Sequence, residues 1–267
     1  MRFFLFIGFI GASISIFGSP VRSTMGGRSI SFSEAGDKSP YTVADYVQDG
    51  LVTIWDGIEN TSLNNHDATT DVWIDLASGI RLESSGSVLW DMNCLLVKDR
   101  WLTYDSADIS LLQESVFDTP KTVGEGYTIE IVVRITTSGN KNLFGERYNA
   151  VCIFSYGGRI CGWLGNGNNT VSSLAVGDIG SVSFVTKNVD GKCENYAYTN
   201  GRLSNRYLNR SYSGILSRGR FGIGDGEYTA WGVAEGEYYC IRMYRRVLTE
   251  EEINHNYEID KARFDLP

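Results

Sequence analysis

The chain has little proline (4 residues), almost no histidine (2) and no long apolar run beyond its N-terminus. Each scarcity removes a class of protein. With only His66 and His255, a Ser-His-Asp site has little to draw on, and no histidine cluster for zinc exists. The five cysteines (Cys94, Cys152, Cys161, Cys193, Cys240) show no CxxC or Cys/His spacing, and an odd number cannot all pair internally. They read as small buried hydrophobes with at most a pair bridged, not as a disulfide scaffold. If Gly157-Gly158 is a two-residue turn, Cys161 faces Phe154 and not Cys152. Basic residues are too few for a polyanion partner: the net charge is −8, which argues against nucleic acid and anionic membranes. No phosphate loop or dinucleotide fingerprint occurs.

What is present is glycine (30) and tyrosine (15) in a chain of 267 residues, a composition suited to many strands joined by tight turns. All-β sandwiches of 200–250 residues routinely form one domain. Tyr127–Ile135 is the cleanest strand. Tyr127, Ile129, Ile131, Val133 and Ile135 share one face and Thr128, Glu130 and Arg134 the other, as one buried face requires. On that outer face, Glu130 with Arg134 reads as a surface ion pair. Val151–Tyr156 and Arg159–Leu164 form a hairpin about Gly157-Gly158. Tyr196-Ala-Tyr198 precedes Asn200-Gly201, the strongest short hairpin signal, because both residues tolerate positive φ. Leu51–Trp55, Val72–Leu76, Ser87–Trp90, Cys94–Val97 and Trp101–Tyr104 add further strands. Near the end, Glu237–Tyr244 is apolar at nearly every position, as for a strand covered on both faces. Thr249 and Glu252 then form a capping box, with Leu248 and Ile253 placed for a hydrophobic staple. The helix they start continues through Asn254–Arg263 on the sandwich edge and ends in a frayed tail.

These phrases carry a family resemblance. Ile241-Arg-Met-Tyr244, Arg246-Val-Leu248 and Glu251-Glu252-Ile253 resemble the closing strand and helix of laminin-G-like (LamG-like), concanavalin A-type jelly rolls. The Trp73-Ile-Asp-Leu-Ala-Ser78 phrase, the Tyr198-Thr-Asn-Gly201 step and Arg220-Phe-Gly-Ile-Gly224 are similar to the same family, so the likeness runs from about Leu51 to Ile253. The resemblance is to domains found in proteins of gut bacteria and their phages. It implies an all-β sandwich jelly roll over residues 46–258 with a short C-terminal helix, preceded by a polar arm (25–45) and followed by a tail (259–267). Residues 1–24 read as a signal peptide: Met1-Arg2, then the apolar run Phe3–Phe17, too short to span a membrane. No small-x-small cleavage site is convincing, Val21-Arg-Ser23 being the nearest. The alternative is a translation start at Met25, whose following sequence resembles native starts of related domains. The first case places the chain outside the cell or on its surface, the second inside a cell or particle.

The superfamily holds glucanases as well as lectins, so chemistry has to be sought. Retaining glucanases of this fold use Glu-x-Asp-x-x-Glu on a strand, since two carboxylates must stand close on one face. The nearest phrase, Glu258-Ile-Asp-Lys-Ala-Arg263, has Arg at the last position and follows the helix start. It reads as a solvated helix face, and no catalytic residues are assigned. A binding role has better support. Trp163 with Asn166, Asn168 and Asn169, and Asp225 with Tyr228 and Trp231, combine aromatic faces with amides and carboxylates suited to a polyhydroxylated ligand. The alternative makes Trp163 and Trp231 packing residues and lets the Asn and Gly residues only turn the chain. The family resemblance leaves calcium (Ca2+) open at Asp225 and Glu227, without the density of acids a dedicated site carries. Sequons stand at Asn60, Asn168 and Asn209. The expectation is a non-catalytic module for carbohydrate or a cell-surface ligand. The alternatives are a structural or adhesion protein of a phage or cell surface, and a glycoside hydrolase.

Overall fold

The structure is a computed structural model. It describes residues 24–25, 28–29, 39–84, 86, 88–98, 102–103, 126–146, 152–164, 169–190, 192–211, 221–223 and 232–267. The signal-like run at 1–23 lies outside them. The chain divides into two units, Met1–Lys38 and Ser39–Pro267. In the first, β1 (Thr24–Met25) and β2 (Arg28–Ser29) pair antiparallel, Thr24 opposite Ser29.

The second unit is the sandwich. Its strands are β3 (Leu51–Asp56), β4 (Val72–Ile74), β5 (Arg81–Ser84), β6 (Leu89–Trp90), β7 (Leu95–Val97), β8 (Leu102–Thr103), β9 (Gly126–Ile135), β10 (Lys141–Glu146), β11 (Cys152–Tyr156) and β12 (Arg159–Trp163). They continue with β13 (Asn169–Ala175), β14 (Ile179–Val189), β15 (Lys192–Thr199), β16 (Arg202–Ser211), β17 (Phe221–Ile223) and β18 (Gly236–Tyr244). The last element is helix α1 (Glu250–Phe264). All pairings between these named strands are antiparallel. One sheet has the order β16-β15-β14-β9-β18-β7-β6, and β3 pairs with the later half of β18. The other runs β13-β12-β11-β10-β17-β8-β5-β4. The all-β sandwich with a C-terminal helix is therefore present.

Between the sheets lies the main core, where Tyr127, Ile129, Ile131, Val133 and Ile135 of β9 meet Trp55, Trp73, Phe144 and Phe184. Both expected hairpins form. Phe154 stands opposite Cys161, and Asn200 and Gly201 take φ of 50° and 72°. All five cysteines are free thiols.

The second face of β9 departs from the expectation of an exposed surface. Thr128, Glu130 and Val132 are buried too, because α1 and the segment around Tyr46 cover the sheet. Val132, apolar on the otherwise polar face, packs there with Tyr239, Tyr257 and Phe264. The helix therefore lies over the sheet and not along the sandwich edge. The Glu130–Arg134 pair does not form, since residues four apart on a strand are about 13 Å apart. Each finds the residue directly across on β18: Glu130 faces Arg242 and Arg134 faces Glu237.

The capping box at Thr249 and Glu252 is made, and the staple residues Leu248 and Ile253 are buried in one cluster. The helix continues to Phe264, and Ile259, Phe264 and Leu266 are buried. Residues 259–267 are thus part of the packed unit, not a tail. The reading of Glu258–Arg263 as a solvated face fails for the same reason. Asp260 and Arg263 point into the sheet and are buried, and Arg263 pairs with Asp56 at 3.1 Å. At the other end, Thr42 caps a 3-10 turn at Val43–Asp45, and Val43 is buried beside Tyr46. Of the arm expected over 25–45, residues 39–45 belong instead to the packed unit.

Candidate functional site: a polar cleft at one end of the sandwich

Of the sequence-derived candidates, Trp163 and Asn169 are brought together. They stand opposite each other where β12 and β13 pair, and both are half-buried. Asn166, Asn168, Asp225, Tyr228 and Trp231 lie outside the described residues. The strands that lead to the two candidate segments can still be compared. β12 runs up to the row Asn169–Trp163–Cys152–Gly145–Gly222, whereas β17 starts beyond that row at Phe221 and runs the other way. The chain thus leaves β12 and β17 toward opposite ends of the sheet. Nor do the histidines assemble a site. Nδ1 of His66 is 3.0 Å from the Gly57 carbonyl, and its ring meets Trp90 edge-on at 6.2 Å. His66 is half-buried. Nε2 of His255 is 2.9 Å from the Asp45 carbonyl.

Glu130, Asp260 and Asp75 are committed to holding the fold. Glu130 accepts hydrogen bonds from Arg242 Nε at 2.9 Å, Asn256 Nδ2 at 2.7 Å and the Ser183 hydroxyl at 2.9 Å. Both Arg242 Nη atoms donate to Asp260 at 2.6 Å. Asp260 also accepts from the Tyr46 and Ser181 hydroxyls, and the Tyr46 ring covers the guanidinium at 4.0 Å. Burial pushes the Glu130 carboxyl up, against the opposing pull of Arg242. Asp75 of the Trp73-x-Asp phrase accepts from the backbone N–H of Ile54, Ala77 and Ser78. It ties β3 to the turn after β4, and burial raises its carboxyl to about 6. Carboxylates held in this way cannot reach a substrate.

Sequence reasoning missed a different feature, a cleft of about 520 Å³ lined by Arg134, Ser173, Asp178, Thr199, Asn200 and neighbouring residues. This is within the size range of small-ligand sites. Two turns and a strand end build it. Arg134 ends the polar face of β9. Its Nε donates to Glu237 Oε2 at 2.8 Å and its Nη2 to Oε1, and this pairing raises its pKa. The guanidinium is thereby fixed while its side chain stays 40% exposed. Gly177 and Asp178 form the β13–β14 turn, where the Gly177 N–H donates to the Ile135 carbonyl at 2.8 Å. Across the cleft, the β15–β16 turn presents Thr199 and Asn200. The Asn200 side-chain oxygen accepts from the Ser181 N–H at 3.0 Å, which orients its amide. Thr199 Oγ1 accepts from the Ser173 N–H at 3.1 Å. Gly180 is needed for this arrangement: a Cβ there would stand 2.7 Å from Asn200 Oδ1 and 2.9 Å from Leu174 Cδ1. The result is a guanidinium, an exposed carboxylate, an amide and a hydroxyl set around one polar space. Only the Asn-Gly turn was legible in advance, and it signalled a hairpin, not a wall of a cleft. Among the described residues, no three His, Cys, Asp or Glu side chains gather to hold a metal ion, and no helix is long and apolar enough to cross a membrane.

No protein-family model matches the sequence, and no curated protein matches it. Solved structures do resemble it in shape. A Trypanosoma rangeli sialidase in complex with sialic acid superposes with a TM-score of 0.53 at 15% identity, over 79% of this chain and 33% of the sialidase. A mutant of the same sialidase displaying trans-sialidase activity gives 0.54 at 14% identity, over 80% and 33%. The receptor-binding domain of botulinum neurotoxin C/D mosaic serotype gives 0.52 at 13% identity, over 79% and 52%. This chain spans about a third of the sialidases and about half of the toxin domain. At such identities the likeness is one of fold: the chain shares a β-sandwich with these proteins.

Proposed function

We propose that this protein is a non-catalytic binding module that takes a carbohydrate, or a similarly hydroxyl-rich group on a cell surface, in the polar cleft. The observation that carries the reading is the cleft itself, where the oriented side chains of Arg134, Thr199 and Asn200 and the exposed carboxylate of Asp178 surround about 520 Å³. A sugar offers hydroxyls that both donate and accept, which this mixture matches, and its desolvation is repaid only by such partners. The sandwich shared with a sialidase solved with sialic acid and with a toxin receptor-binding domain agrees with that use. No catalytic role is proposed: Glu130 and Asp260, the buried acids that Arg242 joins, are spent on it beneath the helix.

The test is a glycan array probed with the full chain, with calcium and again with a chelator, comparing Asp178→Ala with Trp163→Ala. Asp178 is exposed, so its loss leaves the fold intact. We expect glycan binding that Asp178→Ala weakens about tenfold or more, as losing a charge-assisted hydrogen bond should. Trp163→Ala should leave it unchanged. The reverse pattern would move the site to the sheet face at Trp163 and Asn169. Loss with chelator would make the ligand calcium-dependent. Absence of binding to any glycan would overturn the reading in favour of a display or docking scaffold.

A further inference from the structure

The cleft has an unexplained neighbour. Tyr156, at the end of β11, is 48% exposed, although a tyrosine ring in water forgoes the burial that usually places it. Its position is tightly held. Gly157 and Gly158 take φ of 58° and 76°, a turn of the type that matches the twist of adjacent strands. Tyr156 stands directly opposite Arg159, and Arg159 opposite Ala175 of β13. The Arg159 Nη1 donates to the Ser173 carbonyl, and the Val176 N–H donates to the Gly158 carbonyl at 2.9 Å. Ser173 lines the cleft. The hairpin tip is therefore pinned to β13 and its turn, next to a residue that lines the cleft. Two strand spacings place the Tyr156 backbone about 10 Å from Ala175.

We infer that Tyr156, backed by Arg159, is a second subsite that extends the cleft, so that the ligand is a chain of sugar units and not a single one. This rests on the cleft being a carbohydrate site. One unit fills the cleft through its hydroxyls, and the next lays its apolar face on the Tyr156 ring. Tyrosine suits such a role because it supplies a rigid, amphipathic contact at low entropic cost. Arg159 fixes the tip by its bond to Ser173 and offers its remaining N–H groups to hydroxyls at the rim. The two residues divide the work differently from the cleft: they add affinity only for a ligand long enough to reach them.

Isothermal titration of the full chain tests this with methyl glycosides of glucose, galactose and N-acetylglucosamine and their linear di- to tetrasaccharides. The expected result is that one series binds about tenfold tighter as oligomer than as monomer. Tyr156→Ala should erase that difference and leave monomer binding unchanged, while Tyr156→Phe, which keeps the ring face, should retain it. The inference is overturned if oligomer and monomer bind equally, if Tyr156→Ala leaves oligomer binding intact, or if Tyr156→Phe loses as much as the alanine variant. Any of these leaves the cleft standing as a single-unit site. If the wild type binds no sugar of any length, the carbohydrate reading falls, and this inference falls with it.

Discussion

Replacing Arg242 by methionine should be among the most damaging single changes in this chain, although Arg242 touches no ligand. Its side chain is 1% exposed and bonds Glu130 on β9 and Asp260 on α1, joining sheet to helix. Methionine fills much of the volume but leaves two carboxylates buried without their counter-charge. Breaking a buried ion pair from one side costs about 3–5 kcal/mol. For a unit of this size that is a large share of a total stability of about 5–15 kcal/mol. Each kcal/mol shifts the melting midpoint by about 2–4 °C, so a fall of about 6–20 °C is expected. Thermal unfolding followed by tryptophan fluorescence measures it, since Trp55 and Trp73 are fully buried. A second arm checks the cause. Burial already raises the Glu130 carboxyl against the pull of Arg242, and losing that pull raises it further, so the stability its protonated form lends is present at low pH and lost as pH rises. The deficit of Arg242→Met should therefore shrink between pH 7.5 and pH 4.5. A melting midpoint within about 2 °C of wild type, or a deficit that ignores pH, would refute this account of how the helix is held.

Three further outcomes follow from particular residues. Burial raises Asp56 from 3.8 to about 6 against the pull of Arg263, and Asp75 is raised similarly. Both favour the protonated acid in the fold, so their contribution is complete below about pH 4 and gone above about pH 6; urea unfolding at pH 4.5 and 7.5 should show the drop, and Asp56→Asn should remove roughly half of it, whereas an unchanged slope would show that Asp56 does not titrate there. The Asn60 sequon should stay unmodified in a glycosylating host, because Asn60 is 0% exposed, its amide donates to the Asp67 carbonyl at 2.9 Å and its oxygen accepts from the Asp67 N–H at 2.8 Å; a glycopeptide at Asn60 by mass spectrometry would contradict that packing. Gly180→Ala should cost about 1–3 kcal/mol by overpacking and displace Asn200, so a variant with wild-type melting would show that the turn gives way freely.

How much of this could be read in advance depended on the range of the interaction. The hairpin at Gly157-Gly158, the Asn200-Gly201 turn and the capping box at Thr249 are local: a few adjacent residues specify the backbone, and the structure has them where the sequence put them. The period-two face of β9 likewise marked the core. The sequence also told, through β18, that a strand would be covered on both faces. It could not tell what does the covering. Glu130, Asp260 and Arg263 look like surface residues because charge usually lies in water, and their burial follows only from α1 folding back over the sheet, which brings Asp260 to Arg242 and Arg263 to Asp56. The cleft is of the same kind. Arg134, Ser173, Asp178 and Thr199 are ordinary polar residues of strand ends and turns, and no spacing joins them. Sequence by itself determined the most strongly patterned strands, two tight turns, the helix start and the class of fold, because those rest on dihedral preference and hydrophobic period. Tertiary structure alone decided which charges are buried and which polar groups face one another, because both depend on pairing between strands far apart in the chain.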